Sequence, residues 1–391
     1  MVRIRIRLAM IRLLTVTKGN AETPTQHHID GTGHPKAVGT TGPRKPARRL
    51  AAAGSVGVLM AGMIASSGIA DARTQPPTCF GVPATIIAAP NSPTNGTAAR
   101  DVIVGTAGPD VIDGRQGNDL ICGLAGDDIL AGGLGNDKID GGTGEDGLHG
   151  DIFSPRGHAS GGGNDQMFGG DGNDLMTGDS RGLSASGGGN DRMDGGADGG
   201  TGEEHLVGDS GSTAGDAAGA GDDLLLGGPG SELLIGDSNA ARNASGNGGN
   251  DLLDAGTDGG FAAIGDHNIN DPAGGRATGS GGDRIIGGSA DDFLVGDSTV
   301  VDATVTSAGH DVISGRGGND ALFGDNTDFD VTRSVGTAGG NDLLDGGDGG
   351  DTLRAGPRND LLDGGPGTPD DCDGEAGIDA AARCEIVSNV P

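Results

Sequence analysis

The sequence predicts an all-β solenoid of parallel coils built from very short strands, and three observations carry that prediction. From Gly105 to His149 the chain repeats every nine residues, with Gly at positions 1 and 4, Asp at position 6 and Ile or Leu at position 8 in five successive units. A second period of 28–31 residues, marked by Gly-Asp at 150, 178, 208, 236, 265, 296 and 324, runs through the middle of the chain. With 84 Gly in 391 residues, 7 Phe and neither Trp nor Tyr, the chain lacks the side chains from which an aromatic-rich globular core is made.

Each element of the nine-residue unit has a physical reason. The Gly-rich first six residues turn tightly and aim backbone carbonyls inward, because Gly tolerates conformations that a Cβ excludes. The last three residues suffice for one short strand, with position 8 pointing inward and its neighbours outward. Two units complete a coil, and stacked coils bury a column of position-8 side chains. The position-6 carboxylate then meets the turn of the next coil, forming an oxygen cage that suits a hard cation and favours Ca2+ over Mg2+.

The units at Gly132 and Gly141 resemble the RTX, or haemolysin-type, calcium-binding nonapeptide Gly-Gly-x-Gly-x-Asp-x-apolar-x. Thr106, Arg115 and Leu124 replace the second Gly in the other three. The resemblance implies a parallel β-roll with Ca2+ between successive turns.

Twenty units tile the chain between Gly105 and Asp363 once some turns are allowed to lengthen. Position 8 is then apolar from Ile112 to Leu362, and only Ala263 is small. Position 6 supplies the expected Ca2+ ligands: Asp110, Asp119, Asp128, Asp137, Asp146, Asp165, Asp174, Asp191, Asp223, Asp251, Asp283, Asp292, Asp311, Asp320, Asp342, Asp351 and Asp360. Glu204, Glu232 and Phe261 stand at position 6 in the three remaining units, and the coil around Phe261 is expected to bind weakly or to hinge. Because two nonapeptides make a coil, the seven Gly-Asp units send their inserts out on one edge. The inserts are small and polar, as in Ser180 to Ser186 and Thr299 to Ser307, and are expected to form a ragged face of exposed loops. The opposite edge keeps tight turns and is expected to be the cleaner Ca2+ ladder.

The ends differ from the roll. Residues 1–72 hold 10 Lys/Arg against 3 Asp/Glu, leaving a net charge of −38 on the remainder. Arg44-Lys45-Pro46-Ala47-Arg48-Arg49, an apolar run over about residues 50–65 and Ala70-Asp71-Ala72 have the order of a secretory signal, cleaved after Ala72. The alternative, an uncleaved membrane anchor, is opposed by Gly54, Ser55, Gly57 and Gly62 within the run. Residues before Val38 are long for such a leader, and translation is expected to start further downstream. Residues 73–104 are expected to cap the first coil through a β-like patch, Ala84 to Ala88, and residues 364–391 to form a C-terminal cap with a short helix over Ile378 to Arg383. Four Cys in an exported chain allow three pairings, of which Cys79–Cys122 with Cys372–Cys384 staples both ends.

The acidic chain disfavours nucleic acid as a partner and favours cations. Gly-Asp-Ser at 178, 208, 236 and 296 resembles a hydrolase motif, but it recurs at the repeat spacing, and His149, His205, His267 and His310 fall at different phases. No catalytic site is expected. A secreted Ca2+-binding protein that folds on metal binding, with a structural or cell-surface adhesion role and an unidentified extracellular partner, is the expected function. The alternative is an accessory RTX module acting with a separate exported enzyme or toxin.

Overall fold

The computed structural model describes residues 75–197, 203–258, 262–301 and 307–391. The leader expected over residues 1–72 and Phe261 itself, with the weak or hinging coil expected around it, lie at least in part outside the described residues. Two parallel 13-stranded sheets face one another, and the chain alternates between them, one strand per repeat unit. The first sheet runs from Ile86–Ile87 to Ala380–Ala382, and the second from Thr94–Asn95 to Ile386–Ser388. The fold is the all-β parallel β-roll that the period implies. Among the described residues no helix is long and apolar enough to cross a membrane.

Register follows the nine-residue phase. Ile121, Ile139, Met167, Met193, Leu225 and Leu253 pair in turn along the first sheet, and Ile112, Leu130, Leu148, Met176, Leu206 and Leu234 along the second. All twenty position-8 residues join one buried cluster between the sheets, with Ile103 and Cys372 continuing it at either end. Burying one Leu or Ile of this kind contributes roughly 1.5–3 kcal/mol, so the column is the chief apolar term in the fold.

The roll continues through both segments read as caps. Gly96, Asp101 and Ile103 occupy positions 1, 6 and 8 of a further unit, and Ile86–Ile87 pairs with Ile103–Val104. At the other end Ala380–Ala382 forms a strand paired with Leu361–Asp363, where a helix was expected. Gly374, Gly377, Asp379 and Ala381 hold positions 1, 4, 6 and 8, so the repeat phase overrides the helix preference of three Ala. Both disulfides form as paired above, with Cα atoms 5.7 Å apart in Cys79–Cys122 and 6.0 Å apart in Cys372–Cys384. Cys79 packs with Val102, Val104 and Leu120, closing the outer face of the first coils.

The seven excursions are not ragged loops. All leave the same edge, between a strand of the second sheet and the next strand of the first, and they stack into a third parallel sheet of 10 strands. One ladder joins Phe153–Ser154, Arg181–Gly182, Gly211–Ser212, Asn239–Ala240, Asn268–Ile269, Thr299–Val300 and Thr327–Asp328. A second joins His158–Ser160, Ser184–Ser186, Ala217–Ala218, Ala244–Ser245 and Ala277–Thr278. Between them lies a small core of Ala217, Ala240, Ala244, Ile269, Ala277 and Val300. The inserts are small because they pack closely, coil on coil. They also bury position 9 of the second sheet, where Val207, Ile235, Ile264, Val295 and Phe323 cluster with Val331 of the last excursion.

An ordered third layer has a measurable consequence. In saturating Ca2+, Val295→Ala is expected to cost about 1.5–3 kcal/mol and Leu253→Ala in the central column about 2–5 kcal/mol. Val312→Ala, at an exposed strand position, is expected to stay within about 0.5 kcal/mol. Thermal midpoints compare the three; equal midpoints for the two Val variants would mean that the excursions cover nothing.

Candidate metal centre

Each turn fixes its position-6 carboxylate by one oxygen. On the excursion edge the backbone N–H of every such Asp donates to the Oδ1 of the Asp one coil later, at 2.6–3.0 Å, from Asp101 through Asp119, Asp137, Asp165, Asp191, Asp223, Asp251, Asp283, Asp311, Asp342 and Asp360 to Asp379. The other oxygen, Oδ2, is buried without a hydrogen-bond partner in all of these after Asp101. Leaving one buried charged acceptor unpaired costs several kcal/mol, and here the cost recurs at each coil.

The position-1 Gly explains where that oxygen points. A Cβ on Gly123, Gly150 or Gly178 would strike both the Oδ2 of the Asp five or more residues on in its own unit and the carbonyl oxygen of the position-1 Gly in the next coil. Carboxylate and carbonyl oxygens therefore converge at a place that only Gly leaves open. In most tight turns position 2 takes a left-handed backbone as well: Gly133 and Gly142 have φ of 100° and 105°, and Arg115, Leu124 and Arg316 adopt φ of 67–83° there despite their side chains. The turn is thus held by its neighbours more strongly than by its local sequence.

The tight-turn edge is the less regular of the two, contrary to the sequence expectation. Its ladder runs from Asp110 through Asp128 and Asp146 to Asp174, and resumes from Asp292 through Asp320 and Asp351 to Asp370. Between these stretches Glu204 and Glu232 lie buried and paired in register. The excursion edge stays unbroken because each insert leaves after position 2 and returns before the Gly of position 4, so positions 4–6 keep their geometry. All seventeen sequence-predicted Asp are buried in these two columns, and Asp101, Asp370 and Asp379 extend them.

A third acidic column was missed. Asp151, Asp179, Asp209, Asp237, Asp266, Asp297 and Asp325, the position-2 residues of the Gly-Asp units, are fully buried. Gly163 and Gly189 donate their N–H to Oδ1 of Asp179 and Asp209 in the next coil, while Gly281, Gly309 and Gly340 donate to Asp266, Asp297 and Asp325 in their own. The signal was present in the sequence, since all seven insert-bearing units open with Gly-Asp. The Ser that follows four of these Asp, at 180, 210, 238 and 298, is buried in the same repeated setting, and Ser180 and Ser210 donate to the carbonyls of Gly161 and Gly187. The His residues share no setting: His149 stacks on Phe153, His267 accepts the Ser238 N–H, and His310 accepts the Asn341 N–H.

Burial is the largest cause of the electrostatic strain in these columns, and neighbouring carboxylates add to it. It pushes Asp119 up to about 6, Asp137 to about 7, and Asp165 and Asp342 to about 8, against the opposing N–H bond from the preceding coil. Asp191, Asp223, Asp251, Asp283 and Asp311 are raised as well, first by burial and then by neighbouring carboxylates. A buried, geometrically fixed, oxygen-only donor set of high negative charge fits Ca2+, which takes 6–8 oxygens in a flexible shell. The Oδ2 atoms and position-1 carbonyls would hold it, and Glu204 and Glu232 reach the same place beside Gly195 and Gly227.

The sign of the pH dependence follows. Carboxylates raised in the folded state favour folding below their ordinary range near 4, and that contribution is lost as pH rises through about 6 to 8. In chelator, the far-UV β signal is expected to decline between pH 4 and pH 8. Ca2+ at pH 8 is expected to restore it, and Ca2+ addition at pH 7 to release protons detectable with an indicator dye. A chelated protein equally folded at both pH values would contradict this account of the columns.

The comparisons with known proteins agree with this geometry. The RTX calcium-binding nonapeptide repeat (4 copies) matches residues 95–130, 123–154, 159–180, 217–240, 277–298, 305–328, 337–369 and 345–380, together half of the chain. A comparison with curated proteins gave no match. Buried Asp columns, left-handed Gly turns and the matched repeats converge: the chain belongs to the RTX calcium-binding nonapeptide repeat family.

Proposed function

We propose that this chain is a secreted protein that folds when it meets extracellular Ca2+ and then serves a structural or cell-surface role. The observation that carries the reading is the unbroken column of buried Asp, each tied by Oδ1 and unpaired at Oδ2. Bound Ca2+ supplies the positive charge that lets stacked carboxylates stay ionised. Without it, the −38 of residues 73–391 repels itself, and three-residue strands do not offset the entropy of ordering the chain. Two disulfides and the signal-like leader support an oxidising destination. The third sheet, which varies from coil to coil outside the nonapeptide pattern, is the surface we assign to contacts with an extracellular partner.

Two measurements test this reading. Far-UV circular dichroism of the full chain is expected to change from coil to β-rich on Ca2+ addition at pH 7.5, to reverse with chelator, and to respond far less to Mg2+. Intrinsic fluorescence does not serve, since Trp and Tyr are lacking. A C-terminally tagged chain is expected in culture medium with Arg73 as its first residue; retention in cells with the leader intact would sink the secretion arm while leaving Ca2+ binding untouched.

A further inference from the structure

The position-2 carboxylates of the excursion units have no counterpart in the nonapeptide, which has Gly there. We infer that the excursion edge holds three-carboxylate divalent-cation sites of a different make-up from the tight turns, at Asp151, Asp165 and Asp179 and, one coil on, at Asp179, Asp191 and Asp209. Within each trio, one carboxylate oxygen per residue lies within 4.8 Å of the others. Two ligands on one Ca2+ at 2.3–2.6 Å are separated by no more than about 5 Å, so each trio can close on a single ion.

The side chains are aimed rather than merely clustered. All five are buried at 2 % exposure or less, and Oδ2 of Asp165, Asp179, Asp191 and Asp209 and both oxygens of Asp151 lack a hydrogen-bond partner. Gly163 and Gly189 pin Oδ1 of Asp179 and Asp209 at 3.1 and 3.2 Å, which leaves Oδ2 of each to face the neighbouring carboxylates. A Cβ on Gly161 would meet the Asp151 carboxylate, so Gly keeps this side of the site open too.

The excursion itself supplies the chemical reason. In a tight turn, positions 2 to 4 follow one another and offer backbone carbonyls. In an excursion unit the chain departs after position 2, and its next turn residue is the position-4 Gly 10–15 residues on. The Asp carboxylate at position 2 stands where those carbonyls are lost. Charge matches as well: each coil contributes one position-2 and one position-6 carboxylate to this edge, and successive trios share the position-2 Asp, so one divalent cation per coil neutralises the row. A monovalent cation leaves half of the charge, buried, uncompensated.

The inference rests on the Ca2+-binding reading of the position-6 turns, and the test separates the two. Ca2+ bound per full-length chain is counted by equilibrium dialysis and atomic emission, with circular dichroism as the check on folding. Asp151 belongs to one trio and Asp179 to both. Asp151→Asn is therefore expected to lose one ion relative to wild type, and Asp179→Asn two. If Asp179→Asn fails to reach the wild-type β signal in Ca2+, Asp151→Asn, at the end of the row, carries the test alone. A folded Asp151→Asn that keeps the wild-type count overturns the second type of site and leaves the turn reading standing. A wild-type chain that binds no Ca2+ overturns both.

Discussion

The hydrogen bond from the N–H of one Asp to the Oδ1 of the Asp a coil later is the contact on which the rest of the roll depends. It is a charge-assisted bond made in a buried setting, and it fixes the spacing of coils at the point where their turns approach most closely. It also commits the second oxygen of each carboxylate to the interior. Strand pairing alone tolerates slippage in a chain with so many Gly, whereas this bond requires that position 6 meet position 6. The apolar column then follows, because position 8 lies two residues beyond every such bond.

The same contact turns a stability problem into a requirement for a cation. An apolar column of two side chains per coil gives a thin core for 316 residues from Pro76 to Pro391. Against it stand more than twenty buried Asp, most of them raised in pKa by burial. Neutralising these charges by protons or by Ca2+ has the same thermodynamic sense, and near pH 7 the divalent ion is the effective agent. Folding and metal binding are thereby coupled through one set of atoms.

The excursions show how a repeat absorbs insertions without losing its contacts. Each leaves and re-enters between fixed points, Gly-Asp at the exit and the position-4 Gly at the return, so the bonded residues keep their places. Freed from the turn, the inserts meet one another at the coil spacing and pair as strands, with Ala217, Ala244 and Ala277 stacked in register. Their inner side is lined by the position-9 residues of the second sheet, which are apolar before the last five excursions: Val207, Ile235, Ile264, Val295 and Phe323. The covering layer thus converts an outward strand position into a second core.

Periodicity made much of this legible in the sequence. The nine-residue phase determined the two sheets, the inward column from Ile112 to Leu362, the buried position of all seventeen Asp and the shared edge of the excursions, because each depends only on distance along the chain modulo the repeat. The disulfide pairing was legible as well, since each Cys pair bridges neighbouring coils at an end. What only the tertiary structure decided are contacts between residues whose phase the repeat does not define. The third sheet, the burial of position 9, the regularity of the excursion edge and the position-2 Asp column all arise when inserts of 8–13 residues stack on one another. Small polar segments look solvent-exposed one at a time; pairing at a coil spacing set elsewhere is what buries them.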